Sequence, residues 1–296
     1  MEWPKEVEDI RYPSAADGTQ QAAMWYAPKG GKRAPLLVAL HPWSAGYRRG
    51  QSVPYAEWCI RKGWVFIHPD FRGPNVRPEA CGSELVVQDI LSAVDYARKS
   101  ADVDGERVYL MGASGGGYAT LLMAGRAPRT WTAASAWVPI LDLAVWHGDA
   151  KARKTKYMKE VEDCCGGAPG SSAEADRQYE RRSAKTYLAA AADVPLDINA
   201  GITDGHTGSV PISNTLLAFN MLARPEDRLS AEEIEYFVKT QSVPPHLRQD
   251  ISDPTYGEKR PLFRRSSNRV RVTIFQGGHD ELFEAGLTWL EGQRRR

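Results

Sequence analysis

The stretch that decides the fold is Arg107-Val108-Tyr109-Leu110-Met111, followed by Gly112-Ala113-Ser114-Gly115-Gly116-Gly117. The first five residues are typical of a buried strand, and residues 118–124 predict a helix. In the Gly-x-Ser-x-Gly turn between them, small neighbours allow strand and helix to approach closely and lift Ser114 clear of the sheet. Ser114 is therefore predicted to be a nucleophile. The N–H of Gly115, at the start of the helix, is predicted to be one oxyanion donor.

Other uses of a glycine-rich turn fit this sequence less well. A dinucleotide-binding turn needs Gly-x-Gly-x-x-Gly near the first strand, and a P-loop ends in Gly-Lys followed by Ser or Thr. Neither pattern occurs in the sequence. We therefore interpret the turn as one that presents a nucleophile rather than one that holds a phosphate.

Composition and charge are those of an ordinary folded protein. The chain has 296 residues, of which 42% are hydrophobic and 25% charged, enough to bury a sizeable core. A formal net charge of +1 gives no reason to expect binding to nucleic acid or to an anionic membrane. No apolar run approaches the roughly 20 residues of a membrane helix. Because the first residues lack a signal peptide, we expect a cytoplasmic protein unless an export signal was removed, and the oligomeric state stays open.

Short apolar segments alternate with amphipathic ones, which predicts an α/β fold with a mostly parallel central sheet flanked by helices. The predicted strands cover residues 7–12, 21–26, 36–40, 65–67, 107–111, 132–138, 195–201 and 270–275. The alternation stops twice. We predict one domain over residues 1–296, with about eight strands, a cap-like insertion at 140–192 after the sixth strand and a second excursion at 224–268.

A serine hydroxyl needs a general base, and that base needs an orienting acid. His279 directly follows the last predicted strand, after Gly277-Gly278. Asp204 follows the strand that ends near residue 201, and the carboxyl ends of strands carry the active sites of open α/β sheets. We predict a triad of Ser114, Asp204 and His279, and interpret Asp197 and Asp280 as structural.

The second oxyanion donor is expected in the loop after the third strand, His41-Pro42-Trp43-Ser44. Proline has no N–H, so the Trp43 N–H is the candidate, and His41 is expected to fix the loop by hydrogen bonds. The predicted substrate contacts are Tyr47, Arg72, Trp146 and His206. Alternatives are left open: Arg72 as an internal ion pair that braces a turn, His206 as a loop residue, and the tryptophans as core residues.

The four cysteines, Cys59, Cys81, Cys164 and Cys165, show no zinc-ligand spacing. Cys59 is interpreted as a small buried hydrophobe, with a Cys59–Cys81 disulfide as the alternative. The pair Cys164-Cys165 is expected in a loop before Gly166-Gly167. No metal and no organic cofactor is predicted.

The chain resembles the prolyl-oligopeptidase-like branch of the α/β-hydrolases, and also the acetyl xylan esterase and dienelactone hydrolase groups. The motifs that carry the resemblance are His41–Gly46, Asp70–Gly73, Gln88–Ile90, Gly112–Gly117, Gly201–Asp204 with Val210-Pro211, and Gly277–His279. The resemblance implies an α/β-hydrolase fold and catalysis through an acyl-enzyme. His279 would take the Ser114 proton and later activate water.

The chain departs from these families at three points. Pro42 replaces the glycine of the esterases' His-Gly pair, and residues 206–208 lengthen the segment between Asp204 and Val210. Oligopeptidases of this branch carry a large N-terminal propeller that sieves peptides, and this chain has no room for one.

The sequence predicts a carboxylic-ester hydrolase acting on a small-molecule or glycan ester. A carbohydrate ester, with an acetyl or aryl acid, is suggested by aromatic residues near the expected mouth: Trp43, Tyr47, Trp137 and Trp146. The alternative is a small peptidase without a propeller, with a polar clamp for a peptide terminus built from the 140–192 insertion. A third hypothesis is a binding protein that keeps the hydrolase shell without activity.

Overall fold

A nine-stranded sheet forms the centre of the protein in a computed structural model that describes residues 1–295. The strands are β1 (Glu8–Pro13), β2 (Gln20–Tyr26), β3 (Ala34–Leu40), β4 (Val65–Pro69), β5 (Val103–Ala113), β6 (Ala133–Trp137), β7 (Leu196–Gly201), β8 (Pro261–Ser267) and β9 (Val270–Phe275). The helices are α1 (Val53–Lys62), α2 (Glu84–Ser100), α3 (Gly115–Arg126), α4 (Leu143–Ala152), α5 (Tyr157–Cys165), α6 (Ala173–Arg182), α7 (Ser213–Leu222), α8 (Ala231–Thr240) and α9 (Phe283–Glu291).

The strand order is β1-β2-β4-β3-β5-β6-β7-β9-β8. The pairs that join β4, β3, β5, β6, β7 and β9 are parallel, whereas β1 with β2, β2 with β4, and β8 with β9 are antiparallel. Every residue of β3, β4, β6 and β7 is buried, because helices cover the central strands on both faces. The mostly parallel α/β sheet predicted from the sequence is confirmed.

Two local signals set helix ends. The Ser83 hydroxyl accepts a hydrogen bond from the Val86 N–H and caps α2. Helix α1 ends at Lys62, and Gly63 follows in the left-handed conformation with φ of 66°. These ends fix where the chain returns to the sheet.

The 140–192 insertion contains α4, α5 and α6 and lies between β6 and β7. It leaves the sheet at the end of β6, the edge of the sheet where Ser114 follows β5. Helix α5 extends to Cys165, so the prediction of a loop at Cys164-Cys165 is wrong.

The second excursion, at 224–268, contains a strand that the sequence did not predict. β8 pairs antiparallel with β9 and forms one edge of the sheet. Its residues alternate between buried and partly exposed, and polar side chains occupy its second half from Arg264 onward. An edge strand needs only one buried face, so it lacks the continuous apolar run that revealed the central strands. The strand count is therefore nine rather than about eight.

All four cysteines are buried free thiols, so the alternative of a Cys59–Cys81 disulfide is wrong. The Cys59 side chain packs in the hydrophobic core, as its position in a helix suggested. Among residues 1–295, no helix is both long enough and apolar enough to cross a bilayer.

Candidate active site

Ser114 occupies a sharp turn between β5 and α3, with φ of 58° and ψ of −119°. A non-glycine residue at positive φ is strained, and neighbouring contacts hold it there. The Ser114 N–H donates to the Trp137 carbonyl on β6 at 2.9 Å. A methyl group at Gly112 would lie 2.7 Å from the Gly116 carbonyl, and one at Gly116 would overlap the Leu40 carbonyl. The glycines therefore allow strand and helix to approach closely, with the serine at the carboxyl edge of the sheet.

His279 and Asp204 meet at the same edge of the sheet, from the loops after β9 and β7. The Nδ1 of His279 lies 2.8 Å from Oδ2 of Asp204, whose side chain is fully buried. The other carboxylate oxygen of Asp204 accepts hydrogen bonds from the N–H groups of Gly205 and Val210. Because both oxygens have partners, the carboxylate is fixed and can orient the imidazole ring.

Ser114 and His279 line one cavity, but no hydrogen bond joins them within residues 1–295. The Nε2 of His279 instead lies 3.4 Å from the hydroxyl of Ser209. Serine and histidine are often loosely arranged in the absence of substrate and approach in the complex. The structure thus brings two of the three predicted triad residues into contact and places the third in the same cavity.

The two predicted oxyanion donors, the N–H groups of Trp43 and Gly115, are neighbours. A methyl group at Gly115 would overlap the Trp43 backbone nitrogen, which shows how closely the loop after β3 lies over the start of α3. Within the described part of the chain, neither N–H has a hydrogen-bond acceptor. The ring nitrogens of His41 lie 3.0 Å from the Pro42 carbonyl and 2.7 Å from the Asp70 carbonyl, and these contacts fix the loop.

The insertion holds the oxyanion loop through the side chain of Trp43. Its indole Nε1 donates to Glu160 on α5 at 2.9 Å, and Lys156 bridges Glu160 and Ser44 at 2.8 Å each. The Trp146 ring of α4 packs edge-on against the Trp43 ring, with ring centres 4.7 Å apart. Two helices of the insertion, α4 and α5, therefore hold the loop after β3 in place.

The same helix α4 holds the loop that follows Asp204. The Trp146 Nε1 donates to the Ser209 carbonyl at 2.9 Å, and Arg153 donates to the Gly208 carbonyl. A methyl group at Gly208 would overlap the carboxylate of Asp204 and approach the Cβ of His279. Gly208, one of the extra residues noted in this loop, thus packs directly against Asp204 and His279.

The cavity beside Ser114 has a volume of about 550 Å³. Its lining includes Trp43, Gln51, Ser52, Tyr55, Val138, Tyr157 and Phe283, and the charged residues Arg49, Asp280 and Glu281. A groove of about 850 Å³ lies at the opposite edge of the sheet, around the starts of β7 and β9, away from Ser114. The smaller cavity is the candidate substrate site because it contains the serine and the histidine.

Tyr47 and Arg72, two of the predicted substrate residues, do not line this cavity. The Tyr47 hydroxyl donates to Asp9 at 3.2 Å. Arg72 forms ion pairs with Asp89 at 2.6 Å and with Asp17 at 2.9 Å. The alternative interpretation of Arg72, as a brace for the turn after β4, describes its contacts.

Trp146 and His206 do not line the cavity either. The Trp146 side chain is buried between Trp43 and the loop at Ser209. The Nε2 of His206 lies 2.6 Å from the Val238 carbonyl. All four predicted substrate residues thus have intramolecular partners. The sequence could not reveal this, since an aromatic or basic residue type does not show where its side chain points.

Sequence reasoning missed Glu281, which lines the cavity two residues after His279. The Tyr55 hydroxyl donates to Oε1 of Glu281. Burial raises the pKa of the Glu281 carboxyl to about 8. Its position two residues after His279 could have suggested a place near the site. Nothing in the sequence showed that Tyr55 of α1 faces it.

The fold, with a serine on a strand-to-helix turn, defines a serine hydrolase of the α/β-hydrolase class. Comparison with known protein families gives a match over residues 55–241 to Peptidase_S9, the prolyl oligopeptidase family. The chain belongs to this family.

Similar proteins include peptidases, an esterase and proteins without an assigned role. The uncharacterized protein YfhR of Salmonella typhi is 31% identical over 124 residues, which are 41% of this chain and 42% of that protein. Acylamino-acid-releasing enzyme 1 of Oryza sativa subsp. japonica is 26% identical over 168 residues, 50% of this chain and 21% of the enzyme. The match thus spans less than half the length of these curated relatives.

Solved structures with the same fold cover nearly the whole chain. The acylaminoacyl peptidase of Pyrococcus horikoshii superposes with a TM-score of 0.65 and 16% identity, over 96% of this chain and 40% of that one. A thermostable esterase superposes with a TM-score of 0.55 and 16% identity, over 98% of this chain and 64% of that one. At these identities the likeness supports the fold alone.

Proposed function

We propose that this chain hydrolyses carboxylic esters through an acyl-enzyme on Ser114. The observation that carries the proposal is the contact of 2.8 Å between His279 and the buried Asp204, in a cavity that also contains the Ser114 turn. A serine so placed, with an oriented histidine beside it, is what nucleophilic catalysis of acyl transfer requires.

In the first step, Nε2 of His279 takes the proton of Ser114 as Oγ bonds to the substrate's carbonyl carbon. The carbonyl oxygen becomes an oxyanion, which the N–H groups of Gly115 and Trp43 stabilise. The protonated His279 then gives its proton to the leaving alkoxide as the carbon–oxygen bond breaks. In the second step water attacks the acyl-enzyme, His279 takes a proton from that water, and the proton returns to Ser114 as the acid leaves.

A small acyl compound fits the cavity best. A volume of about 550 Å³ is within the range of small-molecule sites. The sequence-based case for a carbohydrate ester rested on four aromatic side chains. Trp137 and Trp146 are buried and, like Tyr47, do not line the cavity. Trp43 lines it but is only 1% exposed, so these four rings offer little stacking surface to a bound sugar. The proposal therefore names a small ester without specifying a carbohydrate.

The second candidate is hydrolysis of an amide bond in a short peptide or acylated amino acid. Its support is membership of the prolyl oligopeptidase family and similarity to a rice protein named as an acylamino-acid-releasing enzyme. The insertion was expected to supply a polar clamp for a peptide terminus, and Tyr157 is its residue that lines the cavity. The chemistry of the two candidates is the same except for the leaving group.

The test uses p-nitrophenyl esters and p-nitroanilides that share the same acyl group. We expect ester turnover and labelling by a fluorophosphonate probe, both lost in Ser114→Ala and both kept in Ser242→Ala, a serine on the exposed surface. Asp204→Asn should lower kcat by roughly 10⁴-fold because the imidazole loses its orienting partner. Unchanged ester turnover in Ser114→Ala would refute the proposal, and turnover of anilides without esters would favour the second candidate.

A further inference from the structure

Glu281 is a carboxyl group beside the proposed nucleophile without a positively charged partner. It is partly buried and lines the cavity that contains Ser114 and His279. Its Oε1 accepts the Tyr55 hydroxyl, whereas Oε2 has no hydrogen-bond partner within residues 1–295. Burial raises the pKa of this carboxyl to about 8, because desolvation disfavours its charged form.

Among residues 1–295, no charged group that lines the cavity forms an ion pair with Glu281. Asp280 pairs with Lys259 at 2.7 Å and accepts the Gly278 N–H at 2.8 Å. Arg49 is exposed and forms no ion pair within the described residues. His279 is engaged with Asp204 at 2.8 Å. An unneutralised acid thus remains on the wall of the substrate cavity.

A purely structural role does not require a carboxyl group at this position. The contact with Tyr55 links the start of α9 to α1, and the side-chain amide of glutamine would accept the same hydrogen bond. What glutamine would not supply is a negative charge for a ligand. The carboxyl group therefore favours a role in binding a charged ligand.

We propose that Glu281 binds an ammonium group of the substrate, so that the preferred substrates of this site are esters or amides carrying a positive charge. This inference rests on the proposed function, because the cationic group would be part of the molecule that Ser114 attacks. A bound ammonium group would donate to Oε2 and stabilise the carboxylate form of Glu281. Selectivity then follows from charge pairing within the cavity.

The test compares pairs of substrates in which –NH₃⁺ replaces –CH₃ at one position. On the acyl side the pair is the p-nitrophenyl esters of β-alanine and butyric acid. On the alcohol side, 3-aminopropyl butyrate is compared with butyl butyrate, in which –CH₃ replaces –NH₃⁺. We expect the cationic member of one pair to have a higher kcat/KM by about tenfold, after correction for intrinsic reactivity. The pair that shows the effect identifies the side of the scissile bond that Glu281 faces.

In Glu281→Gln this preference should disappear, so that the cationic and neutral members of the pair react with equal kcat/KM. Glu284→Gln removes the same charge from an exposed position on α9 and should keep the preference. The preference should also increase as the pH rises toward 8, where Glu281 ionises. Taking the ratio of cationic to neutral rates cancels any pH dependence that both substrates share.

Binding to Ser114→Ala, measured by calorimetry with β-alaninamide and butyramide, tests the inference without turnover. Tighter binding of the cationic amide, lost in the Ser114→Ala, Glu281→Gln double variant, would support the assignment even if no ester were cleaved. Equal binding of both amides, or equal rates for both members of each substrate pair, would overturn it. Hydrolysis of the neutral esters alone would leave the proposed function standing and refute the role of Glu281.

Discussion

The indole Nε1 of Trp146 donates a 2.9 Å hydrogen bond to the main-chain carbonyl of Ser209, while its ring packs against that of Trp43. One buried side chain of the insertion therefore contacts the oxyanion loop and the loop that carries Asp204. Trp146 was predicted to contact substrate, but its contacts are those of a positioning residue.

Replacing Trp146 by Phe should remove this hydrogen bond while keeping most of the ring packing. We expect kcat to fall by roughly tenfold or more, because small displacements of catalytic groups are costly. Stability should fall by about 1 to 3 kcal/mol, since the Ser209 carbonyl loses its donor. Trp131→Phe is the matched control, because Trp131 Nε1 donates to the Met123 carbonyl away from the cavity. If both variants lose kcat equally, the positioning role of Trp146 is wrong.

A methyl group at Gly115 should displace the oxyanion loop, because it would overlap the backbone of Trp43. We expect Gly115→Ala to lower kcat by about 10²-fold, the usual effect of losing one oxyanion donor. Gly148→Ala on α4 is the control, since a methyl group there contacts nothing within 4 Å. That control should keep full activity and gain up to about 1 kcal/mol from better helix propensity. Steady-state kinetics and thermal unfolding of the two variants distinguish these effects.

The Arg72–Asp89 ion pair should matter for stability and not for substrate affinity. The Asp89 side chain is fully buried, so Arg72→Met would leave its charge without a partner, at a cost of about 3 to 5 kcal/mol. Urea unfolding should show this loss, while the KM of the fraction that remains folded stays at the wild-type value. A large rise in KM for anionic esters, with unfolding unchanged, would restore the hypothesis that Arg72 contacts substrate.

The raised pKa of Glu281 predicts how stability depends on pH. The folded protein holds this proton up to about pH 8, whereas the ordinary value is 4.5, so the folded state binds more protons between these limits. Stability should therefore be fully present below pH 4.5 and decrease as the pH rises toward 8. Relative to wild type, Glu281→Gln should gain about 2 to 4 kcal/mol at pH 9 and little at pH 4. Unfolding free energies that differ by the same amount at both pH values would contradict this assignment.

The features that the sequence revealed are those encoded locally or by chain order. The turn at Ser114 lies within one short stretch, and its glycines are needed because backbone atoms of Gly116 and Leu40 approach so closely. Asp204 and His279 each follow a parallel strand, and the carboxyl ends of such strands meet at one edge of the sheet. Their contact could therefore be predicted without knowing any side-chain conformation.

The features that the sequence did not reveal depend on which side chains face each other after folding. The Glu281–Tyr55 contact joins residues far apart in sequence, on elements with no common pattern. From the sequence, Arg72 could bind a substrate or form an internal ion pair. Only the folded structure places Asp17 and Asp89 beside it. β8 was missed because an edge strand with polar residues resembles a loop in sequence.

The contacts of helix α4 bear on how a substrate reaches Ser114. Trp146 of this helix and Arg153, which directly follows it, both donate to carbonyls of the loop between Asp204 and Val210. An outward swing of the helix would pull on the loop that positions the acid, and would disturb the base that the acid orients. We therefore expect the insertion to stay in place during turnover rather than to open as a lid. Arg49 and Gln51 are exposed residues that line the cavity, so this side, away from the insertion, is where we expect substrates to enter.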